Sequence, residues 1–442
     1  MLRIGSGEGY YGDDILRSLP MIEGGYADVV CFEALSELTL AILRRQAMRD
    51  PKRGYTRDVE LLARAVLPRA LERNVPLVTN AGGLNPRRAA EKMLAVAQEQ
   101  GLSLRIAVVT GDDVVDRIAE FRANGDTLEH LETGAAFDWQ APVLSANVYL
   151  GAQPIADALA QGADVVITGR VADPSLYLAP IVEHFSWAWD DWDRLAAGTV
   201  CGHLLECTAQ VVGGNSLVSL DRLSGEDLAN LGYPIAEVES DGSFVLTKTP
   251  GMPGIITSQT VKEQLLYEVH DPGGYITPDV VVDLRSACVE SVGENRIRVS
   301  GIRGRPRTAT HKLLIAREDG YARELIFRVG SVHAEAKASQ LEAMLAAAWR
   351  DVPLRRVFFE RLGGGDEILV RAAFSAERRE ALDLAVRKAL ALGLSGPAGM
   401  VVLPALINAP ERALLALWPT LLRRERVVPH VEILEAAHGA GR

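Results

Sequence analysis

Apolar and polar positions divide the first part of the chain into short β-branched runs separated by longer stretches with helical spacing. The runs Leu2–Gly5, Asp28–Glu33, Pro76–Asn80, Leu104–Thr110 and Asp164–Thr168 predict strands, each followed by turn residues. Between them, Ile15–Leu19, Ala34–Arg49, Arg57–Arg73, Pro86–Gly101 and Val114–Asn124 place apolar residues three and four apart, and Asn85 before Pro86 suits a helix start. Strands alternating with helices in this way predict an α/β domain over residues 1–200, Rossmann-like, with a doubly wound, mostly parallel sheet.

From 201 to 306 the pattern is less regular and reads as a mixed connecting region. Turns fall at Gly213-Gly214-Asn215, Asp241-Gly242 and Asp271-Pro272-Gly273-Gly274, and strands are expected at Phe244–Thr247 and Asp279–Leu284. Residues 307–442 repeat a grammar. A hairpin from His311–Ala316 through Glu318-Asp319-Gly320 to Glu324–Val329 leads to a helix over Ala334–Arg350. Then Arg355–Arg361, a glycine turn, Glu367–Ala373 and a helix over Ala376–Leu392 follow. Two β-β-α units predict an α+β domain of antiparallel strands with helices on one face. The apolar run Ala413–Trp418 is expected to be a helix, serving either as an interface or as ordinary core.

Composition narrows the class. With 48% hydrophobic and 24% charged residues among 442, the chain has the balance of a globular protein. A net charge of −11 opposes a nucleic-acid partner, which needs clustered cations to displace counterions. Arginines gather at Arg303-Gly304-Arg305-Pro306-Arg307 and at Arg423 to Arg426, and such runs read as solvated faces. No long uninterrupted apolar stretch occurs and no leader pattern follows Met1, so neither a membrane nor export is expected. Cys31, Cys201, Cys207 and Cys288 lack zinc spacing and are too few for a disulfide scaffold, which fits reduced thiols in the cytoplasm.

Ligands of open parallel sheets bind beyond the carboxyl ends of the strands. That rule collects the loop Gly5 to Asp13, Glu33, Thr79-Asn80 with Gly82-Gly83, Thr110-Gly111-Asp112, and Thr168-Gly169-Arg170 with Asp173. Enolisation or loss of water next to a carbonyl needs a base and donors for the developing oxyanion. Glu33 or Asp13 is the expected base, Glu206 the reserve acid, Ser6 and Asn80 the donors, and Arg170 the anchor for an anion. Gly7, Gly9, Gly82, Thr168 and Asp173 complete the expected substrate site. An ion pair of Arg170 with Asp173 or Glu33 is the competing structural explanation.

Gly7-Glu8-Gly9-Tyr10-Tyr11-Gly12 also matches a dinucleotide-binding pattern after a strand, with Glu33 where a ribose-binding acid would stand. Glu8, Asp13 and Asp14 oppose it, because three carboxylates would surround a pyrophosphate. Glu206 and Cys207 are adjacent, so on a strand at most one could enter a pocket, with His203 close in sequence. No common metal-ligating, serine-hydrolase or phosphate-loop spacing occurs; no metal site is expected, and no cofactor is specified.

Several unusual segments, in order, resemble the AtuA-type acyclic terpene utilisation proteins. They are the opening Gly5–Asp13, Val78–Pro86, Ile167–Asp173, His270-Asp271-Pro272 leading to Tyr275–Asp279, and Ser395–Gly399. The resemblance spans Leu2 to about Val428. Many relatives continue into a ferredoxin-like domain, so this chain looks like the main portion alone, and a separate protein bearing that domain is an expected partner. Relatives usually carry a glycine-rich run where Met400-Val401-Val402 stands here, which implies a different substrate if that run touches ligand.

The resemblance implies catabolism of acyclic terpenes or branched-chain acids through CoA thioesters. The expected function is therefore an enzyme on an acyl-CoA or small carboxylic acid, of lyase or hydro-lyase type. The alternatives are a non-catalytic metabolite-binding or scaffolding subunit, and an NAD-linked oxidoreductase. A small-molecule ligand, with a CoA thioester among the candidates, and a homo-oligomer are the expected partners.

Overall fold

The computed structural model describes residues 1–330, 332–403 and 409–436. Strands β1 (Leu2–Glu8), β2 (Val29–Phe32), β3 (Leu77–Thr79) and β4 (Leu104–Thr110) come first, followed by β5 (Ser145–Val148) and β6 (Val165–Thr168). β1, β2, β3, β6 and β4 lie side by side in that order and parallel. Their apolar runs are buried on both faces, which is why they read as near-continuous Val, Ile and Leu.

β7 (Pro234–Val238), β8 (Phe244–Lys248), β9 (Tyr275–Ile276), β10 (Val281–Asp283), β11 (Cys288–Gly293), β12 (Arg296–Ser300) and β13 (Arg303–Arg305) come from the middle of the chain. β7, β8, β12 and β11 extend the sheet antiparallel beyond β1. The result is a ten-stranded mixed sheet, larger and less parallel than the doubly wound arrangement expected. The mixed character arises because short turns such as Asp241-Gly242 join β7 and β8 directly, and a hairpin enforces antiparallel pairing.

β1 runs three residues past the expected end. Ser6 pairs with Cys31 and Glu8 with Phe32, and the register shifts between them, so Gly7 sits in a bulge. A Cβ on Gly7 would stand 2.3 Å from the Phe32 ring, so only glycine lets β1 pass there.

The chain forms two compact units. The first comprises Met1–Trp139, Leu144–Ile315 and the chain from Trp418 on; the second comprises Gln140–Val143 and Ala316–Leu417. The remaining strands are β14 (Thr310–Gly330), β15 (Arg356–Gly364), β16 (Glu367–Ala376), β17 (Met400–Val402), β18 (Arg412–Arg423) and β19 (His430–Ala436). In the second unit antiparallel strands carry helices Ala334–Ala348 and Arg379–Leu390 over one core of Leu325, Phe327, Leu341, Trp349, Val370, Phe374 and Leu382.

Two expectations for this region change. The hairpin at Glu318-Asp319-Gly320 does not form: β14 continues through it, with Gly320 at φ 79 and Tyr321 paired to Ala376. Long-range pairing with β16 outweighs the local turn chemistry. The apolar run Ala413–Trp418 belongs to strand β18, not to a helix, because it pairs with β14. Among the described residues, no helix is long and apolar enough to cross a membrane.

Candidate functional site

The strand ends of the first unit do converge, but most of their polar groups bond to one another. Glu33 Oε1 accepts from the Leu35 amide at 2.7 Å and from Asn80 Nδ2 at 3.0 Å, while Asn80 Oδ1 accepts from the Ala34 amide at 2.7 Å. Burial raises the Glu33 carboxyl, and Arg170 and Asn80 restrain that rise. Ser6 Oγ lies 2.8 Å from the Tyr177 hydroxyl, and Thr168 Oγ1 donates to the Gly169 carbonyl at 2.9 Å. Gly82 is required because a Cβ would stand 2.5 Å from the Thr168 carbonyl oxygen.

Arg170 is buried at 1% exposure. Its Nε donates to the Val171 carbonyl at 2.7 Å, and its other nitrogens donate to the Leu35 carbonyl and pair with the Asp173 carboxylate. Its guanidinium also lies 4.7 Å from the Tyr149 ring centroid. Of the two partners proposed for it, Asp173 makes the ion pair, and Glu33 acts on it through charge alone. Asp112, next in the row, accepts from the Arg170 amide at 2.8 Å and Asn147 Nδ2 at 3.0 Å, and burial pushes it up to about 6.

The glycine loop after β1 is filled by protein. A Cβ on Gly9 would stand 2.9 Å from the Glu206 carbonyl oxygen. Asp13 accepts from the Gly9 amide at 3.0 Å, the Asp14 amide at 2.8 Å, the Thr208 hydroxyl at 3.0 Å and the Tyr233 hydroxyl at 2.7 Å. Glu8 is buried, and burial, then Asp58, Glu33 and Asp13, hold its carboxyl well above the usual range. The helical turns that follow are Ile15–Ser18 and Leu19–Glu23, too short for the long dipole of a pyrophosphate-binding helix.

A cavity of about 380 Å³ lies elsewhere in the first unit. Its polar lining includes Glu37, Tyr149, Asp173, His203, Glu206, Glu268, Tyr275, Thr277, Thr310, His311 and Lys312, and its apolar wall includes Leu131, Ala172, Pro174, Ile276, Pro278 and Leu421. Of the expected site residues it takes Asp173 and Glu206. Ser6, Gly7, Gly9, Asp13, Glu33, Asn80, Gly82, Thr168 and Arg170 do not line it.

His203 and Glu206 sit at the end of the helix Trp192–Leu205, with Glu206 as its C-cap. On a helix end, residues three apart share a face. His203 Nδ1 accordingly lies 3.0 Å from Glu206 Oε1, and both side chains are buried. Gly202 lets this helix lie against the Asp173–Pro174 loop, since a Cβ would stand 2.6 Å from the Pro174 carbonyl oxygen.

His203 Nε2 and Glu206 Oε2 are buried without a hydrogen-bond partner. Burial pulls the imidazole down, but the hydrogen bond and charge of Glu206 outweigh it and leave His203 above its ordinary value. Burial raises Glu206, and the His203 bond limits the rise. Tyr275 tilts over the imidazole at 5.5 Å between centroids, its hydroxyl raised by burial. Cys207 does not line the cavity, and burial pushes its thiol up to about 12, so it is no thiolate at neutral pH.

At the opposite polar patch, the Tyr149 hydroxyl donates to Glu37 Oε1 at 2.5 Å, and Lys312 Nζ lies 3.3 Å from the same oxygen. Burial works to raise Glu37, yet the Tyr149 bond together with Lys312 and Arg170 holds it at about 2. Sequence reasoning assigned no role to Glu37, Tyr149, Glu268 or Lys312. The available signal was the three-residue spacing of His203 and Glu206 on a helical pattern, and the position of Tyr275 in a segment carrying the family resemblance.

Among the described residues no group of three or more His, Cys, Asp and Glu side chains is placed to hold a metal ion. No curated protein and no solved structure matches the chain. The family model of the acyclic terpene utilisation family protein AtuA matches residues 2–433, nearly the whole length, and covers both the strand-end network and the cavity residues. The chain therefore belongs to the AtuA acyclic terpene utilisation family.

Proposed function

We propose that this chain is an enzyme of acyl-CoA or small carboxylic acid catabolism, of terpene or branched-chain type, that adds or removes water or breaks a carbon–carbon bond. The observation that carries this reading is the buried His203–Glu206 pair: both residues line a cavity with a substantial apolar wall, and their Nε2 and Oε2 are buried without a hydrogen-bond partner. Nδ1–H donates to Glu206, which leaves the Nε2 lone pair to take a proton beside a carbonyl; the imidazolium then gives it to a departing oxygen. The Tyr275 hydroxyl, protonated across the working range, supplies a donor to the developing oxyanion.

The volume suits the reacting end of a substrate, since about 380 Å³ is near the lower bound for small-molecule sites. Charge refines the class. Glu37, Asp173, Glu206 and Glu268 line the cavity against Lys312, the one permanent cation of its lining among the described residues, which favours a neutral reacting group such as a thioester over a free carboxylate. Glu33, Asn80 and Arg170 are positioning residues in this scheme: they hold Asp173 and the Ala34–Leu35 backbone.

The test is turnover of a panel of branched-chain and acyclic terpenoid acyl thioesters by His203→Gln and Glu206→Gln. Each variant is expected to lose on the order of 100-fold or more in kcat with little change in Tm. A well-folded His203→Gln protein with wild-type turnover overturns the proposal.

A further inference from the structure

Arg424, at the start of the helical turn Arg424–Arg426, is fixed by backbone carbonyls. Its Nε donates to Thr308 at 2.6 Å and its Nη2 to Pro278, while its own amide donates to the Ala309 carbonyl at 3.1 Å. The remaining terminal nitrogen, Nη1, lies 3.3 Å from His311 Nε2. His311 stands near the start of β14, 9% exposed, and lines the cavity.

The direction of that contact fixes the imidazole. A guanidinium has only donors, so Nη1 donates and His311 Nε2 accepts. Burial and the charge of Arg307, opposed by Asp279, bring Arg424 down to about 10, which leaves it a cation at neutral pH. Burial, then Arg424, holds His311 at about 4, which leaves the imidazole neutral there. A neutral imidazole that accepts at Nε2 carries its one proton on Nδ1. His311 is therefore a donor at Nδ1, and that atom is buried without a hydrogen-bond partner among the described residues. The Tyr149 backbone carbonyl pulls the imidazole the other way but does not reach hydrogen-bond geometry with it.

An unpaired buried N–H is a cost that a ligand oxygen removes. The chemistry of this donor selects the kind of oxygen. A neutral imidazole polarises a carbonyl without demanding an anion, and the acidic residues of the lining disfavour an anionic ligand. His203, in the same lining, carries the complementary arrangement: its Nδ1 is bonded to Glu206 and its Nε2 is the unpaired atom. A carboxylate partner thus sets one histidine as a base at Nε2, and a guanidinium partner sets the other as a donor at Nδ1.

We propose that His311, through Nδ1–H, is the hydrogen-bond donor that holds a carbonyl oxygen of the ligand in this cavity. This deepens the function proposed above and rests on the cavity being the ligand site.

Two measurements on the full-length protein test it. In protein labelled with 15N-histidine, comparison of wild type with His311→Gln assigns the His311 ring nitrogens by NMR. A neutral ring protonated on Nδ1 is expected at pH 7, and a proton on Nε2 overturns the proposal whatever the turnover. The second is calorimetric titration with the N-acetylcysteamine thioester of isovaleric acid, a saturated probe that has neither water to lose nor a double bond to hydrate. In His311→Gln the amide oxygen still accepts from Arg424 but no donor stands at the Nδ1 position, whereas the His311→Asn amide nitrogen falls near that position. Binding about tenfold weaker than wild type is expected in His311→Gln, most of it recovered in His311→Asn and unchanged in His203→Gln. The reverse order of the two His311 variants makes His311 only a support for Arg424 and overturns the proposal. Equal affinity in wild type and His311→Gln, or no saturable binding by wild type, overturns it as well. If His203→Gln keeps full turnover while His311→Gln still weakens the probe, the donor stands and the catalytic proposal falls.

Discussion

The Thr208 hydroxyl donates to the Asp13 carboxylate at 3.0 Å, joining the loop after β1 to the segment just beyond Glu206. Asp13 takes three further hydrogen bonds, from the Gly9 and Asp14 amides and the Tyr233 hydroxyl. Through this clamp, Gly9 rests on the carbonyl of Glu206 itself.

Asp13→Ala should therefore destabilise by about 3 kcal/mol, because several donors lose their acceptor together. Urea unfolding measures this. An Asp13→Asn protein with wild-type stability and no turnover would instead return Asp13 to a catalytic role.

Glu33→Gln keeps an oxygen that can accept from both the Leu35 amide and Asn80. It should unfold within about 1 kcal/mol of wild type and turn over within about tenfold of it. A loss of 100-fold in a folded Glu33→Gln protein would make Glu33 the base.

Arg170→Met removes a cation at 1% exposure and leaves Asp173 unpaired. A loss of about 1–3 kcal/mol is expected, mainly from the Leu35 and Val171 carbonyls losing their donor, since Asp173 is 34% exposed and regains water. Thermal unfolding of Arg170→Met beside the double variant Arg170→Met/Asp173→Asn checks the cause, since the second change should recover little of the loss.

His311 and Asp112 should make opposite contributions to the pH dependence of stability. Burial, then Arg424, depresses His311 from 6.5 to about 4. In that window the unfolded chain binds the proton first, so stability contributed by His311 falls as pH drops. Burial raises Asp112 from 3.8 to about 6, so the folded chain binds the proton first and stability rises as pH drops. Between pH 7 and 4.5, His311→Gln should retain about 2 kcal/mol more stability than wild type does, and Asp112→Asn should lose more than wild type. Urea titrations at both pH values on all three proteins decide it.

The five parallel strands are legible in the sequence because strands buried on both faces need uninterrupted β-branched runs. The last residues of β1 are not, since Ser6, Gly7 and Glu8 look like a loop until the partner strand is known. The turn residues at Glu318–Gly320 mislead for the converse reason: local preference yields to a partner in β16. The strand-end row is visible as a set of residues but not as a closed network, because hydrogen bonds such as Asn80 to Glu33 are tertiary. The cavity needs His203, Tyr275 and Lys312 from separate elements, and no local pattern joins them.

β19 pairs with β4 along its full length, from His430 opposite Thr110 to Ala436 opposite Leu104. During synthesis, β4 leaves the ribosome long before that partner exists. Its outer row of backbone donors and acceptors stays open until every element between β4 and β19 has been made, with the apolar residues Ile106 to Val109 behind it. Until β19 arrives, this edge of β4 is therefore a template on which another chain could pair.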